Sequence, residues 1–581
     1  MSRPRGRRRD EAARRLRGAL ARPVGTVAVI VAVALALRLP LLGDRPVHWD
    51  EARVGWSILH YRATGIWEYR PVLHGPFLFH VGRRLVGAFG ASMAALRLPT
   101  ALVGGVLPAT ALWYRDHLDD REVVALATVL AVAPLFVFYS RFLRNDLLVA
   151  AFSFAALGAV LRARATGRWR HALGVGLLAG LALTTKENAM LYALAWAGAA
   201  TLVWLWHPSS PARPAAPSAS EALARLRGSW LRVVGAVAVA LAVVGWFFAP
   251  RDQGPGPAIG DLAADPGTLP AVLAAATLEP ARRLLDLWVL GGLGEWSYPT
   301  YFGLLVGMLL LTAPATVALA AFGATAERGR SDGPRPLVAF SLAWAGLSVV
   351  GYPAAVDLVG GWTVLHVAVA LAIPAAVGLA ALHERARSPS TRSRASEADA
   401  RAAVAGLLAV AAVVAAGGGA AVYGAPAGHW NPYPQPAQPG EDVEETARAV
   451  AAVAATNPGT DVAYVGAYFG DDPARRMPLP WYVRAAGDSS VAVRSPAELD
   501  ENPPPVVVTT TRHREPLAAT LEGYVCVEHR FRPWTSRGPG DRWPTESLAG
   551  PASGPKPVVV FVDRDALDGA YGSTLSSQRC G

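Results

Sequence analysis

The stretch VGTVAVIVAVALALRLPLLGDRPVHWDE, residues 24–51, decides the fold class. Its apolar run, Val24 to Leu42, is long enough to cross a bilayer and carries one ionisable residue, Arg38, near its end. Just beyond it, His48-Trp49-Asp50-Glu51 sets two adjacent carboxylates where the chain leaves the membrane. Carboxylates at that boundary are costly unless they meet water, a cation or a substrate. The pair is therefore expected at an aqueous cleft, and an enzyme is the leading expectation.

Working outward, apolar residues make up 52% of the 581-residue chain, and long Ala/Val/Leu/Gly runs recur that no soluble core of ordinary size would use. Windows of about 19 residues place spans near 24–42, 91–113, 123–140, 145–161, 171–186, 189–206, 231–249, 301–322, 337–355, 362–382 and 402–423. The expected fold is an α-helical polytopic membrane protein of about 11 transmembrane helices followed by a C-terminal extracytoplasmic α/β domain. The division is a basic N-terminus at 1–23, a membrane domain at 24–423 with an external loop at 43–90, and a soluble domain at 424–581. The formal net charge of +11 is explained by orientation, so no nucleic-acid partner is expected. Arg3, Arg5, Arg7, Arg8, Arg9, Arg14, Arg15 and Arg17 precede the first span and make the N-terminus cytoplasmic in a plasma membrane. By parity, further arginine clusters fall in cytoplasmic loops, whereas acids outnumber Arg251, Arg282 and Arg283 in the external loop 250–300.

The tail reads as a linker, a helix near Glu441 to Thr456, and β-type runs at Val462–Val465, Val506–Thr510, Tyr524–Val527 and Val558–Val562. It holds no nucleophile elbow, phosphate loop or metal motif, so recognition or assembly is its expected role. Cys526 and Cys580 both fall there. A disulfide between them would close a loop of about fifty residues and contribute roughly 4 kcal/mol; two free thiols are the alternative.

Parity puts every polar cluster near a span boundary on the external face. These are Asp50 and Glu51; Arg141, Arg144, Asn145 and Asp146; and Lys186, Glu187 and Asn188. Three clusters at one depth are expected to line one cavity. The chain retains only Lys186 and Lys556 among its many arginines, and Lys186 sits inside a hydrophobic hairpin. A compact point charge there suits a phosphate; an ion pair with a neighbouring acid is the plainer reading. The spans that open near 145 and 189 both point their positive dipole ends outward, where anions are favoured, with Asn145 and Asn188 as expected N-caps. For Arg141 and Arg144 the alternative is snorkelling to headgroups. For Asp50 and Glu51 it is helix capping. Successive helical residues do not share a face, so one carboxylate is expected to act as a base and the other to orient a ligand. His48, His74 and His80 match no strong metal motif; no metal site is expected, although dependence on a divalent cation is left open.

Many spans, a loop Asp-Glu pair and external cations resemble the GT-C superfamily of lipid-sugar-dependent glycosyltransferases, including the protein O-mannosyltransferases. The segments HWDEARVGWSILHYRATGIWEYRPVLHGPFLFH, FYSRFLRNDLLVAAF and LTTKENAMLY, with PLPWYVR and PPVVVTT in the tail, are similar to the archaeal membrane family associated with flippase activity in protein N-glycosylation. The resemblance implies inverting hexosyl transfer from a polyprenyl-phosphate sugar at the external face, with Asp50 as base and external cations holding the phosphate. It also implies a role in surface glycoconjugate synthesis or protein N-glycosylation, with other proteins of that pathway as partners. The alternative it carries is a non-catalytic flippase-associated protein or translocator of lipid-linked sugars. One departure stands out: Asp357-Leu358-Val359-Gly360-Gly361-Trp362 lacks the cation expected before a tryptophan in the later external loop.

Overall fold

In the computed structural model the described residues are 23–206, 219–251, 257–286, 297–355, 360–387, 416–428, 431–433, 438–440, 442–470, 473–486, 489–530, 557–572 and 575. They divide into two compact units, and the division does not follow the chain in order. The first comprises residues 1–40, 68–78 and 98–422; the second comprises 41–67, 79–97 and 423–581. The loop expected to belong to the membrane domain is thus largely grouped with the tail.

The apolar runs of the first unit become helices because long stretches without backbone partners in lipid satisfy their N–H and C=O groups internally. Among the described residues, six helices are long and apolar enough to cross a membrane: Met93–Tyr114, Asn145–Thr166, Asn188–Trp206, Ser229–Phe248, Pro336–Ala355 and Gly361–Arg385. Two bent pairs, Asp120–Val132 with Pro134–Ser140 and Tyr298–Thr312 with Pro314–Arg328, raise the number to eight if each is one span. The eleven expected spans are therefore not all matched by full-length helices. The first is a shorter helix, Pro23–Ala36, the fifth is the 17-residue helix Trp169–Thr185, and residues 402–415 of the eleventh lie outside the described residues.

The 52° break at residue 133 has a local cause. Pro134 has no N–H to give the Leu130 carbonyl and disrupts the helical ladder there. The fully buried Arg38 fills the gap, donating to the carbonyl oxygens of Leu130 at 3.1 Å and Ala131 at 2.8 Å, and to Ser140 Oγ at 2.9 Å. The ionisable residue of the first apolar run is thus a helix-break splint. Elsewhere small residues allow backbones to meet: a Cβ on Gly323 would lie 2.0 Å from the Pro374 carbonyl oxygen, and one on Gly378 2.0 Å from that of Leu319.

The second unit contains a five-stranded sheet, β1 (Val462–Val465), β2 (Ser490–Val493), β3 (Val506–Thr510), β4 (Tyr524–Arg530) and β5 (Pro557–Asp563). The spatial order is β2-β1-β3-β5-β4, with β1 parallel to β2 and β3, and β5 antiparallel to β3 and β4. Ala463, Val465, Val507, Leu517, Leu521, Val559 and Phe561 form a core. Strands β1, β3 and β5 are buried along nearly their whole length, which is why they read as continuous apolar runs. The edge strand β2 is short and half-exposed, and its sequence carries no such signal. Cys526 is disulfide-bonded; Cys580 lies outside the described residues.

Candidate functional site

In the first unit, helix Asn145–Thr166 starts after Arg144, whose backbone is extended (φ −141°, ψ 151°). Asn145 is therefore the first helical residue and not the expected cap, and Asn188 likewise opens helix Asn188–Trp206. Asp146, in the first turn, places its carboxylate at the positive end of the helix. It is fully buried and accepts from Lys186 Nζ at 2.7 Å and from Arg144 Nε at 2.9 Å. His366 Nε2 lies 3.3 Å away on the side of Oδ1. A carboxylate only accepts, so Nε2 carries the proton and Tyr192 donates to Nδ1 at 2.9 Å. Tyr352 stacks on the imidazole at 5.1 Å, Asn188 Nδ2 is 3.3 Å from Nε2, and the Arg144 guanidinium lies 4.4 Å above the Trp362 ring.

Two cations, Lys186 and Arg144, flank one carboxylate here. Lys186 and Arg144 side chains keep 6% and 10% exposure while Asp146 keeps none, so an arriving anion would meet the cations before the acid. The expected clusters around 141–146 and 186–188 do come together, but with different members in different tasks. Arg141 donates to the carbonyl oxygens of Arg38 at 2.9 Å and Pro40 at 2.5 Å and so fastens the end of the first helix. Glu187 turns to a second group: it accepts from the Tyr69 hydroxyl at 2.6 Å and from His74 Nδ1 at 3.1 Å.

Burial favours a neutral Glu187, but the bonds from His74 and Tyr69 outweigh it and hold the carboxyl below its usual range. Burial, reinforced by Lys186, pushes His74 below the ordinary histidine value, and burial beside Glu187 pushes the Tyr69 hydroxyl far up. His74 is consequently a neutral imidazole with its proton on Nδ1. Its backbone takes φ 64°, ψ −164°, an uncommon region, because Gly75 docks its N–H on the Thr185 carbonyl at 3.0 Å. A Cβ on Gly75 would sit 2.2 Å from the Thr184 carbonyl oxygen, so only glycine allows this approach. Residues 357–359 of the departing loop lie outside the described residues.

In the second unit, helix Trp49–Thr64 is capped by His48, whose Nδ1 accepts from the Asp50 N–H at 3.0 Å. Glu51 completes a capping box by accepting from the His48 N–H at 3.1 Å. The two carboxylates then part. Glu51 is fully buried and takes a bidentate bond from Arg97, Nε to Oε1 at 2.8 Å and Nη2 to Oε2 at 2.7 Å, with Arg45 Nη2 at 2.7 Å. Asp50 is partly exposed and meets Arg53 at 3.4 Å. Glu51 thus grips structural cations, where a ligand had been the expectation, and Asp50 keeps contact with solvent. Tyr482 donates to Glu444 at 2.6 Å and accepts from the Val47 N–H at 3.2 Å; burial beside Glu444 keeps its hydroxyl protonated. Among the described residues no three His, Cys, Asp or Glu side chains gather as metal ligands.

Sequence reasoning missed His366, Tyr192 and Tyr352, although a histidine inside GWTVLHVAVALA is a signal, since polar residues within apolar helices are rare unless they line something. It also set aside His74, whose tautomer depends on Glu187 more than a hundred positions away.

Residues 443–563 match the family model for the Agl23 flippase-associated protein C-terminal domain. The sheet domain thus resembles an Agl23-type domain. Residues 73–213, which include His74, Arg144, Asp146 and Lys186, match that for dolichyl-phosphate-mannose-protein mannosyltransferase. No curated protein sequence matches the chain. Among solved structures, ArnT from Cupriavidus metallidurans in the apo state aligns with a TM-score of 0.53 at 16% identity over 93% of this chain and 98% of that one. The same enzyme bound to undecaprenyl phosphate aligns with a TM-score of 0.53 over 92% and 98%. The Archaeoglobus fulgidus oligosaccharyltransferase tethered to an acceptor peptide gives 0.51 at 15% identity, covering 85% of this chain and 69% of that one. The chain therefore shares the fold of these structures and is a multi-pass membrane protein.

Proposed function

We propose that this protein transfers a sugar from a polyprenyl-phosphate carrier at the external face of the plasma membrane. The observation that carries the reading is the buried cluster of two cations, Lys186 and Arg144, around Asp146 at a helix N-terminus. The fold match to an ArnT structure holding undecaprenyl phosphate supports it, as does the mannosyltransferase match over the same residues. In this reading Lys186 and Arg144 receive the lipid phosphate, and Arg141 and Asn145 support the segment that presents them. Asn188 lies beside His366 behind the site, and Glu187 fixes the neighbouring His74. Asp50 takes the proton of the acceptor hydroxyl as that oxygen bonds to the anomeric carbon. The carbon–phosphate-oxygen bond breaks with its electron pair going to the phosphate, whose growing charge the two cations stabilise. The N-terminus is cytoplasmic, and the Agl23-type domain is external.

The test is transfer from a radiolabelled polyprenyl-phosphate sugar by purified full-length protein. Turnover by wild type, lost in Asp50→Asn and in Lys186→Met, is the expected result; equal turnover by wild type and Asp50→Asn removes the base.

A second reading is favoured by the Agl23-type domain: a non-catalytic protein that holds lipid-linked sugars for translocation alongside other glycosylation proteins. It uses the same cations and needs no base. Lipid translocation in vesicles that survives Asp50→Asn and fails in Lys186→Met selects it.

A further inference from the structure

The grouping of residues 41–67 and 79–97 with the Agl23-type domain has an atomic basis. Gln438 accepts from Arg45 Nη1 at 2.8 Å through Oε1 and donates to the Pro46 carbonyl at 3.1 Å through Nε2. Tyr482 accepts from the N–H of Val47, the next residue, while anchored to Glu444 of helix Val443–Thr456. His48 follows directly as the helix cap. Farther along the same helix, the Trp481 indole lies so close to Gly55 that a Cβ there would be 2.7 Å from Cε3, and the Arg484 guanidinium sits 5.0 Å from the Trp56 ring centre. Gln438, Trp481 and Tyr482 are all buried.

We propose that Gln438, Trp481, Tyr482 and Arg484 form a clasp through which the Agl23-type domain and the segment just before it set the position of the Asp50 helix, making Gln438 and Tyr482 positioning residues for Asp50. The domain then has an internal task and is not a recruitment module alone. The backbone of residues 45–47 has no regular secondary structure of its own, so its amide and carbonyl groups depend on side-chain partners to fix the entry angle of the helix. Two such partners come from the tail, Gln438 on the Pro46 carbonyl and Tyr482 on the Val47 N–H. The consequence for catalysis rests on the reading of Asp50 as base; the mechanical claim does not.

The experiment compares full-length wild type, Tyr482→Phe, Gln438→Leu, the double variant and Gly55→Ala in lipid nanodiscs. Gly55→Ala alters no clasp residue itself but pushes the Trp481 indole away, so it serves if a hydrogen-bond variant fails to fold. Hydrogen exchange in residues 45–64 should rise about two- to tenfold in each single variant, from the loss of about one net hydrogen bond, with the strands of the sheet unaffected. The double variant should rise by less than the product of the two, because both partners hold one segment. In the transfer assay kcat should fall with KM for the lipid-linked sugar unchanged, a split that general destabilisation does not produce. Unchanged exchange in 45–64, or an equal rise throughout the chain, overturns the clasp. If wild type shows no transfer, the base reading fails by itself, and the exchange pattern still decides the clasp.

Discussion

Glu51→Gln separates a structural carboxylate from a catalytic one. The glutamate shares a bidentate bond with Arg97 and an ion pair with Arg45, and it accepts the capping N–H of His48, all in complete burial. Glutamine keeps one acceptor and turns an NH2 group against guanidinium donors, so Arg97, itself fully buried, is left without its anion. Breaking a buried pair from one side costs about 3–5 kcal/mol. The lost cap, typically about 1 kcal/mol, belongs to the same carboxylate and is not added. An estimate of about 4 kcal/mol corresponds to roughly a thousandfold rise in the locally open population of helix Trp49–Thr64. Hydrogen exchange of that helix measures it directly, with thermal unfolding in detergent as a second readout. Exchange unchanged within about threefold, together with abolished sugar transfer, would refute the structural assignment and return Glu51 to the chemistry.

Asp50→Asn should reduce transfer by about a hundredfold or more while leaving exchange in the same helix near wild type; a large rise in exchange would mean that Asp50 acts through the fold. Asp146→Asn leaves Lys186 and Arg144 facing each other without their buried anion, so the free protein should lose about 3–5 kcal/mol, while polyprenyl phosphate should bind more tightly than to wild type. Weaker binding, measured by titration of the lipid, would count against the phosphate role. The His74 and Glu187 pKa values are both depressed on folding, so both stabilise at neutral pH and lose that contribution as pH falls. The loss begins near about 6.5 for the histidine and about 4.3 for the glutamate. His74→Gln should therefore flatten the stability profile just below about pH 6.5; an unaltered slope would show that the imidazole is not held neutral. Gly75→Ala, which sets a methyl against the Thr184 carbonyl, should break the His74–Glu187 bond, let the Glu187 carboxyl return towards its usual range and flatten the stability profile below about pH 4.3, and a wild-type profile would contradict that docking.

The sequence by itself determined the class of molecule. Helices occur at the apolar runs wherever those fall in described residues, and four of the five strands were legible in runs such as Val506–Thr510 and Val558–Val562, because burial on both faces leaves a local compositional trace. It also singled out Asp50, Asp146 and Lys186, since charge beside lipid is costly enough to be informative residue by residue. Partnership was different. That Arg141 and Arg38 mend backbone carbonyls, that Asp146 joins Lys186 across forty positions and His366 across 220, and that Glu51 answers to Arg97 were decided only in three dimensions. So was the membership of residues 41–67 in a unit with a tail hundreds of residues later. The hydrophobic effect acts on each segment's own composition and so is written locally. A hydrogen bond or ion pair depends on angstrom-scale distances between segments that the chain order does not specify.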